Sequence, residues 1–302
     1  MPPAATDRRP TGSWTLDLPR GRRLELVAGS PKLMGVVNVT PDSFSDGGRF
    51  LDPARAVEHA LVLVAEGADL LDLGAESTRP GGGVYGAGAR EVPAEQELAR
   101  LMPVLEALRP LVDIPISVDT RKAAVARAAL GAGADLVNDI SALGDPAMAA
   151  VVAGAGCPVV LMHARGELAT MQRDISFRDV VAEVGAELSS RRDAAVASGI
   201  DAAAIVLDPG LGFGKSTAQN LELLARLARL AELGAPLLVG ASRKSFLGAV
   251  SGAPPEARLP GSLAAAARAA EGGAAILRVH DVGATRQFLE IWRATATAEG
   301  AT

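Results

Sequence analysis

Polar and charged residues capable of chemistry recur in this chain at one kind of place, the end of a short apolar run. Asn38 ends the first, with Asp42 and Asp46 just beyond it. Asp72 and Glu76 close the next, followed by Ser77, Thr78 and Arg79. Further runs end at Asp119, at Asn138 and Asp139, at His163, at Asp208, at Ser242, Arg243 and Lys244, and at Arg278, His280 and Asp281. Asp119, Asn138 and Asp208 supply carboxylate acceptors and an amide, which suit the donor-rich edge of a flat heterocycle. Arg243, Lys244, Arg278 and His280 are cationic, and arginine is well matched to phosphate oxygens. Taken singly, each residue reads as readily as a strand-end cap or a satisfied buried polar group. Burying the whole set without a ligand would be costly, so together they point to a phosphorylated heterocyclic substrate.

The apolar pattern shows which elements must bring these residues together. Residues 33–48 (LMGVVNVTPDSFSDGG) begin valine-rich and turn at Asn38 into a loop rich in Gly and Asp, as a strand buried on both faces does. Seven similar runs lie near 68–75, 114–120, 134–141, 157–163, 204–210, 236–242 and 274–280. Asp52 and Pro53 open a first helix as N-cap and first-turn residue. Amphipathic helical segments follow near 91–109, 122–133, 145–155, 179–198, 217–233, 261–272 and 283–295, with Gly133, Gly156, Gly199 and Gly234 placed as C-caps. Eight strands alternating with eight helices in 302 residues predict an α/β fold, the (β/α)8 TIM barrel. A doubly wound open sheet fits the alternation almost as well. The count of eight favours the barrel, as does the lack of residues for a second domain. In a barrel all the strand ends meet at the carboxyl-terminal mouth, and phosphate sites often follow the last two strands, where the cations stand here. Ahead of the barrel, W-x-L-x-L, PRGR and L-x-L alternate around a turn from Trp14, predicting a β-hairpin that covers one end. Residues 1–12 read as a disordered tail and 13–302 as one domain.

Composition narrows the function classes. A net charge of −5 argues against a nucleic-acid grip through a broad basic surface. The single cysteine, Cys157, excludes an internal disulfide and opens an apolar run, which suits a small buried hydrophobe. No apolar run reaches membrane-span length and residues 1–30 lack a signal-peptide core, so no membrane partner and a cytoplasmic location are expected. The segment 209–216 (PGLGFGKS) nearly matches a phosphate-binding loop, but Pro209 stands where the first glycine is required. Ser216 with Gln219 reads better as a helix capping box. No Cys/His cluster has zinc spacing, and His59 reads as structural or solvated.

The motifs MGVVNVTPDSFSDGG (34–48), DLGAESTRPG (72–81), SVDTRK (117–122), VNDIS (137–141), DPGLGFGK (208–215), GASRKSFLG (240–248) and RVHD (278–281) run in order through the chain. Together they resemble the dihydropteroate synthases, the folate-pathway family targeted by sulfonamides. That resemblance implies a barrel transferase joining 6-hydroxymethyl-7,8-dihydropterin pyrophosphate to p-aminobenzoate, giving 7,8-dihydropteroate and pyrophosphate, with Mg²⁺ on the pyrophosphate. It implies that Asp119, Asn138, Asp208 and Lys244 hold the pterin, with Met162 and Phe213 as apolar contacts. Asn38, Arg278 and His280 would hold the pyrophosphate, with Asn38 at the metal. Phe44, Thr78, Arg79, Pro80 and Ser242 would shape the p-aminobenzoate side, and Asp46 is the first-loop acid. Asp119, Lys244, Asp46, Arg278 and His280 are the expected catalytic residues. Small-molecule substrates and a homodimer complete the implied picture.

The chemistry of the residues agrees with a dissociative route, in which pyrophosphate leaves before the amine attacks and no activated protein nucleophile is needed. Two departures from the family pattern stand out. After the fifth strand the chain reads Met162-His163-Ala164-Arg165-Gly166 where Met-His-Met-Gln-Gly is usual, and the Gly-rich segment 79–92 is longer than usual. Two other functions fit a barrel of this kind less well. A methyltransferase on the same pterin-binding barrel would need neither SRK followed by RVH nor the Thr-Arg-Pro loop. A non-catalytic paralogue would be expected to lose pterin or pyrophosphate residues, and none is missing.

Overall fold

The computed structural model describes residues 10–40, 52–77, 91–167, 170–173 and 175–298. Strands β1 (Ser13–Leu18) and β2 (Arg22–Val27) form the expected antiparallel hairpin, with Leu16 opposite Leu24 and Trp14 opposite Leu26. The Gly12 carbonyl accepts from the Ala28 N–H at 2.9 Å, so pairing reaches into the segment expected to be a tail. Eight parallel strands then close a barrel: β3 (Lys32–Asn38), β4 (Leu70–Gly74), β5 (Ile116–Asp119), β6 (Leu136–Asp139), β7 (Val159–Met162), β8 (Ile205–Asp208), β9 (Leu237–Val239) and β10 (Ala274–Val279). Each strand neighbours the next in sequence, and β10 pairs with β3 to shut the ring. The barrel reading therefore holds over the open sheet.

Side-chain alternation gives each barrel strand two different faces. Leu33, Val37, Leu71, Leu73, Val118, Val137, Leu161, Leu207, Val239 and Leu277 point outward into the core shared with the helices. Met34, Leu70, Leu136, Val160, Val206, Leu238 and Ile276 point inward and pack in one cluster with the hairpin leucines 16, 18, 24 and 26. The hairpin thus plugs the amino-terminal end of the barrel. One two-residue step further along the inward face come Asp72, Asn138, Met162, Asp208 and Arg278. The same face that is apolar at the plug is polar at the mouth.

The outer helices are α1 (Pro53–Ala65), α2 (Ala94–Leu108), α3 (Ala123–Gly131), α4 (Met148–Ala155), α5 (Val180–Ala197), α6 (Thr217–Ala225), α7 (Ala228–Ala231), α8 (Ser245–Ser251), α9 (Leu259–Glu271) and α10 (Val282–Ala298). Asp52 caps α1 by accepting from the Ala54 N–H, and Ser216 with Gln219 forms the capping box of α6. Gly133, Gly156, Gly199 and Gly234 all take positive φ after their helices. Cys157 is buried. Two features differ from expectation. The helix expected over 217–233 breaks into α6 and α7 at Arg226, whose φ of −111° and ψ of 23° leave the helical range, and Arg268 donates to the freed Ala225 carbonyl at 2.7 Å. The Arg229 N–H turns to the Arg226 carbonyl. The short helix α8 was not expected in a stretch so rich in Gly, and it forms by burying Phe246 and Leu247. No helix among the described residues is long and apolar enough to cross a membrane.

Candidate active site at the barrel mouth

Arg278 on β10 is the hub of the mouth. Its Nε donates to Asp72 Oδ2 on β4 at 2.6 Å, and its Nη2 donates to Asp119 Oδ2 on β5 at 2.9 Å. Asn138 on β6 donates its Nδ2 to the same Asp72 oxygen at 3.1 Å. The other oxygens, Asp72 Oδ1 and Asp119 Oδ1, and the Ser117 hydroxyl are buried without a hydrogen-bond partner. Buried acceptors left open in this way cost stability unless a ligand supplies donors. Burial pushes the Asp119 carboxyl up to about 7, against the pull of the Arg278 guanidinium.

Across the mouth, Asp208 ends β8 beside Met162 of β7, its register partner. Its Oδ1 accepts from the Gly210 N–H at 2.7 Å, and burial raises its pKa, with Lys244 the main opposing charge. Lys244 donates to the Leu211 carbonyl and stands 4.8 Å from the centroid of the Phe213 ring. Burial lowers this ammonium to about 8, against the attraction of Asp208. Asp119, Asn138, Met162, Asp208, Phe213 and Lys244 therefore meet at one end of the barrel. Together they offer carboxylate and amide acceptors, one aromatic ring and one ammonium.

The expected anion residues lie on two adjacent strands of the ring. Asn38 ends β3, which pairs directly with β10 carrying Arg278, and His280 follows two residues on. Two of the five guanidinium N–H groups of Arg278 are taken by carboxylates, which leaves others for an anion. Ser242, expected on the p-aminobenzoate side, is placed against His280, whose Nδ1 lies 3.0 Å from the serine Oγ. Arg243, with φ of 57°, turns away to pair with Asp281. Asp42, Phe44, Asp46, Thr78, Arg79 and Pro80 lie outside the described residues.

No group of three or more His, Cys, Asp or Glu side chains is clustered to hold a metal ion among the described residues. Magnesium needs few protein ligands when substrate phosphates and water supply the rest, so a single amide oxygen such as that of Asn38 fits a substrate-borne Mg²⁺.

Sequence reasoning missed Lys215, which is 2% exposed. Its Nζ lies 2.9 Å from His163 Nδ1, from the Gly210 carbonyl and from the Phe213 carbonyl. Burial lowers Lys215 to about 7 and His163 to about 2. The signal for Lys215 is a lysine directly before the capping Ser216 in the glycine-rich segment 209–216. Glu76, just past the end of β4, takes Arg121 at 3.1 Å and Lys122 at 2.9 Å while accepting from the Val92 N–H at 2.8 Å.

A closed barrel with acceptors and cations converging at its mouth defines a class, and the profile of the family described as pterin binding enzyme matches residues 34–280. The chain belongs to the pterin binding enzymes. A dihydropteroate synthase from Synechocystis sp. is 45% identical over 282 residues, covering 91% of this chain and 95% of that protein. The solved dihydropteroate synthase of Xanthomonas albilineans with 4-aminobenzoic acid is 49% identical with a TM-score of 0.85, covering 94% of this chain and 98% of that one. A second structure of the Xanthomonas albilineans enzyme, in complex with 7,8-dihydropteroate, has a TM-score of 0.80 at 46% identity over 93% and 98% of the two chains. Within its family the chain falls among the dihydropteroate synthases, which are transferases.

Proposed function

We propose that this chain condenses 6-hydroxymethyl-7,8-dihydropterin pyrophosphate with p-aminobenzoate, releasing pyrophosphate and 7,8-dihydropteroate. The carrying observation is the open, buried oxygen of Asp119 beside Asn138, facing the Asp208 and Lys244 side of the same mouth. These groups accept from and donate to the pterin edge, while Met162 and Phe213 cover its faces. Asn38, Arg278 and His280 hold the pyrophosphate, with His280 oriented by Ser242. Mg²⁺ held through Asn38 would supply Lewis-acid neutralisation of the leaving group.

The carbon–oxygen bond to pyrophosphate breaks first, and Arg278 stabilises the charge that develops on the leaving oxygens. The ionised Asp119 stabilises the pterin methylene cation left behind. The amine of p-aminobenzoate then attacks that carbon and loses its proton. Phe44, Thr78, Arg79 and Pro80 form the p-aminobenzoate and sulfonamide side, with Asp46 as the first-loop acid and Ser242 at its edge. The protein works as a homodimer in the cytoplasm. Exposed apolar side chains on α8 and α10, Val250 at 63% and Ile291 at 65%, support a partner surface, and light scattering of the purified chain tests it.

Calorimetry with the pterin pyrophosphate and with the unphosphorylated pterin tests the site. Asp208→Ala removes a charged acceptor from buried donors and should cost about 2–5 kcal/mol of binding for both ligands. Arg278→Ala should weaken the pyrophosphate form far more than the unphosphorylated pterin. Equal weakening of both ligands would assign Arg278 to the ring pocket instead.

A further inference from the structure

Lys215 takes no part in the mechanism above, yet its surroundings are built with care. Three carbonyl oxygens surround its Nζ: Gly210 and Phe213 at 2.9 Å and His163 at 3.3 Å. Glu187 Oε2 lies 3.0 Å from His163 Nε2 and, as a carboxylate oxygen, only accepts, which places the imidazole proton on Nε2. Nδ1, 2.9 Å from Nζ, is then an acceptor and shares the three ammonium protons with the carbonyls. Glu187 on α5 is gripped in turn by Arg165, whose Nε lies 2.9 Å from its Oε1. Arg165 also donates to Glu183 at 2.7 Å and lies 4.0 Å over the Phe177 ring. Lys215, His163, Glu187 and Arg165 thus form a line from the barrel mouth to an outer helix, alternating donor and acceptor. Arg165 is one of the two residues in which this chain departs from the usual family pattern after the fifth strand.

The line ends on a loop that carries pterin residues. Lys215 draws the carbonyls of Gly210 and Phe213 onto one point and closes 210–213 as a ring around its ammonium. That ring presents the Phe213 side chain and the Leu211 carbonyl, and Lys244 is held by both. We propose that Lys215 is a positioning residue for the pterin pocket, and that the His163–Glu187–Arg165 line fixes its direction from outside the barrel. The proposal rests on the pterin reading of Phe213 and Lys244. None of the four residues needs to touch substrate.

The test is a split between the two substrates in the full-length enzyme. Lys215→Met should raise KM for the pterin pyrophosphate about tenfold, leaving KM for p-aminobenzoate within about twofold. A purely structural lysine would lower the melting temperature without separating the two constants. A folded K215M enzyme with unchanged pterin KM, or with both constants raised equally, overturns the proposal. Should K215M not fold, Glu187→Gln carries the test from the outer end of the line. It should raise pterin KM about threefold and move the His163 nitrogen resonances away from the Nε2–H tautomer. Unchanged pterin KM in E187Q overturns the proposal in that case. Asp208→Ala serves as the control: normal pterin binding there would sink the pterin reading itself, a separate outcome.

Discussion

Two carboxylates share one guanidinium at the centre of the mouth, and each keeps an oxygen in reserve. The pairing of Asp72 with Arg278 joins residues 206 positions apart in the chain. Sequence spacing marks both as strand-end residues but cannot show that they meet, because the closure of β10 on β3 brings them together. Asp119 carries the pH-dependent consequence. In the free enzyme burial lifts its pKa to about 7 from an ordinary 3.8, so the group is largely protonated below that pH. Donors on the pterin edge favour the ionised form, so binding should release its proton. Affinity for the unphosphorylated dihydropterin should therefore rise as pH increases through about 7, up to the point near 8 where Lys244 gives up its proton. Calorimetry across this range checks the sign, and an affinity that falls with pH contradicts the assignment. Asp119→Asn should flatten the profile. Ser242 makes a different point about single residues. Its type fitted a substrate contact, and the structure shows it first as the partner of His280.

At the scale of elements, the loops after β7 and β8 lie against each other so closely that only glycine fits between them. Gly210 has φ of 63°, and a Cβ there would stand 1.9 Å from the His163 carbonyl oxygen. Gly214, with φ of 62°, would meet the Arg165 carbonyl at 2.7 Å. Gly210→Ala should push the two loops apart, displace Phe213 and lower pterin affinity by about tenfold or more. Gly252→Ala is the matched control. It has φ of 73° but nothing within 4 Å, so it should cost about 1 kcal/mol of stability and leave affinity alone. Comparable loss of affinity in both variants would show that backbone strain, and not the loop contact, is responsible. The strands, most helices and the capping residues were legible in the sequence because each is a local pattern of period, cap and turn. The break between α6 and α7 was not, since the Ala225 carbonyl freed there finds its partner in Arg268 of α9, far along the chain. Lys215 escaped for a related reason. A buried lysine in a loop has no periodicity, and its meaning lies in carbonyls that the fold gathers around it.

The whole molecule separates the face that does chemistry from the face that holds the barrel together. At the mouth, most inward positions are Asp, Asn or Arg, with Met162 the apolar one among them. At the other end the hairpin lays Leu16, Leu18, Leu24 and Leu26 over Met34, Leu70, Val160 and Ile276. Charge fastens this plug at its edge. Asp135 is fully buried and accepts from Arg20 at 2.6 Å, from Arg109 at 3.0 Å, from Arg22, and from the Ile116 N–H at 2.8 Å. Residues of the hairpin, of the turn after α2 and of β5 are thereby tied to one carboxylate in the turn before β6. In barrels of this kind the amino-terminal face serves stability and the carboxyl-terminal face serves activity. Leu16 is fully buried, so Leu16→Ala leaves a cavity between hairpin and barrel and should cost about 2–5 kcal/mol. The apolar layer of the barrel interior lies between that cavity and the residues proposed to hold the pterin. At a temperature where the variant is folded, its pterin affinity should therefore stay within about twofold of the parent. Denaturant melts and calorimetry on the same preparation measure both quantities. A large loss of affinity in the folded variant would mean that the plug reaches the site through the barrel interior, and the division between the two faces would fail.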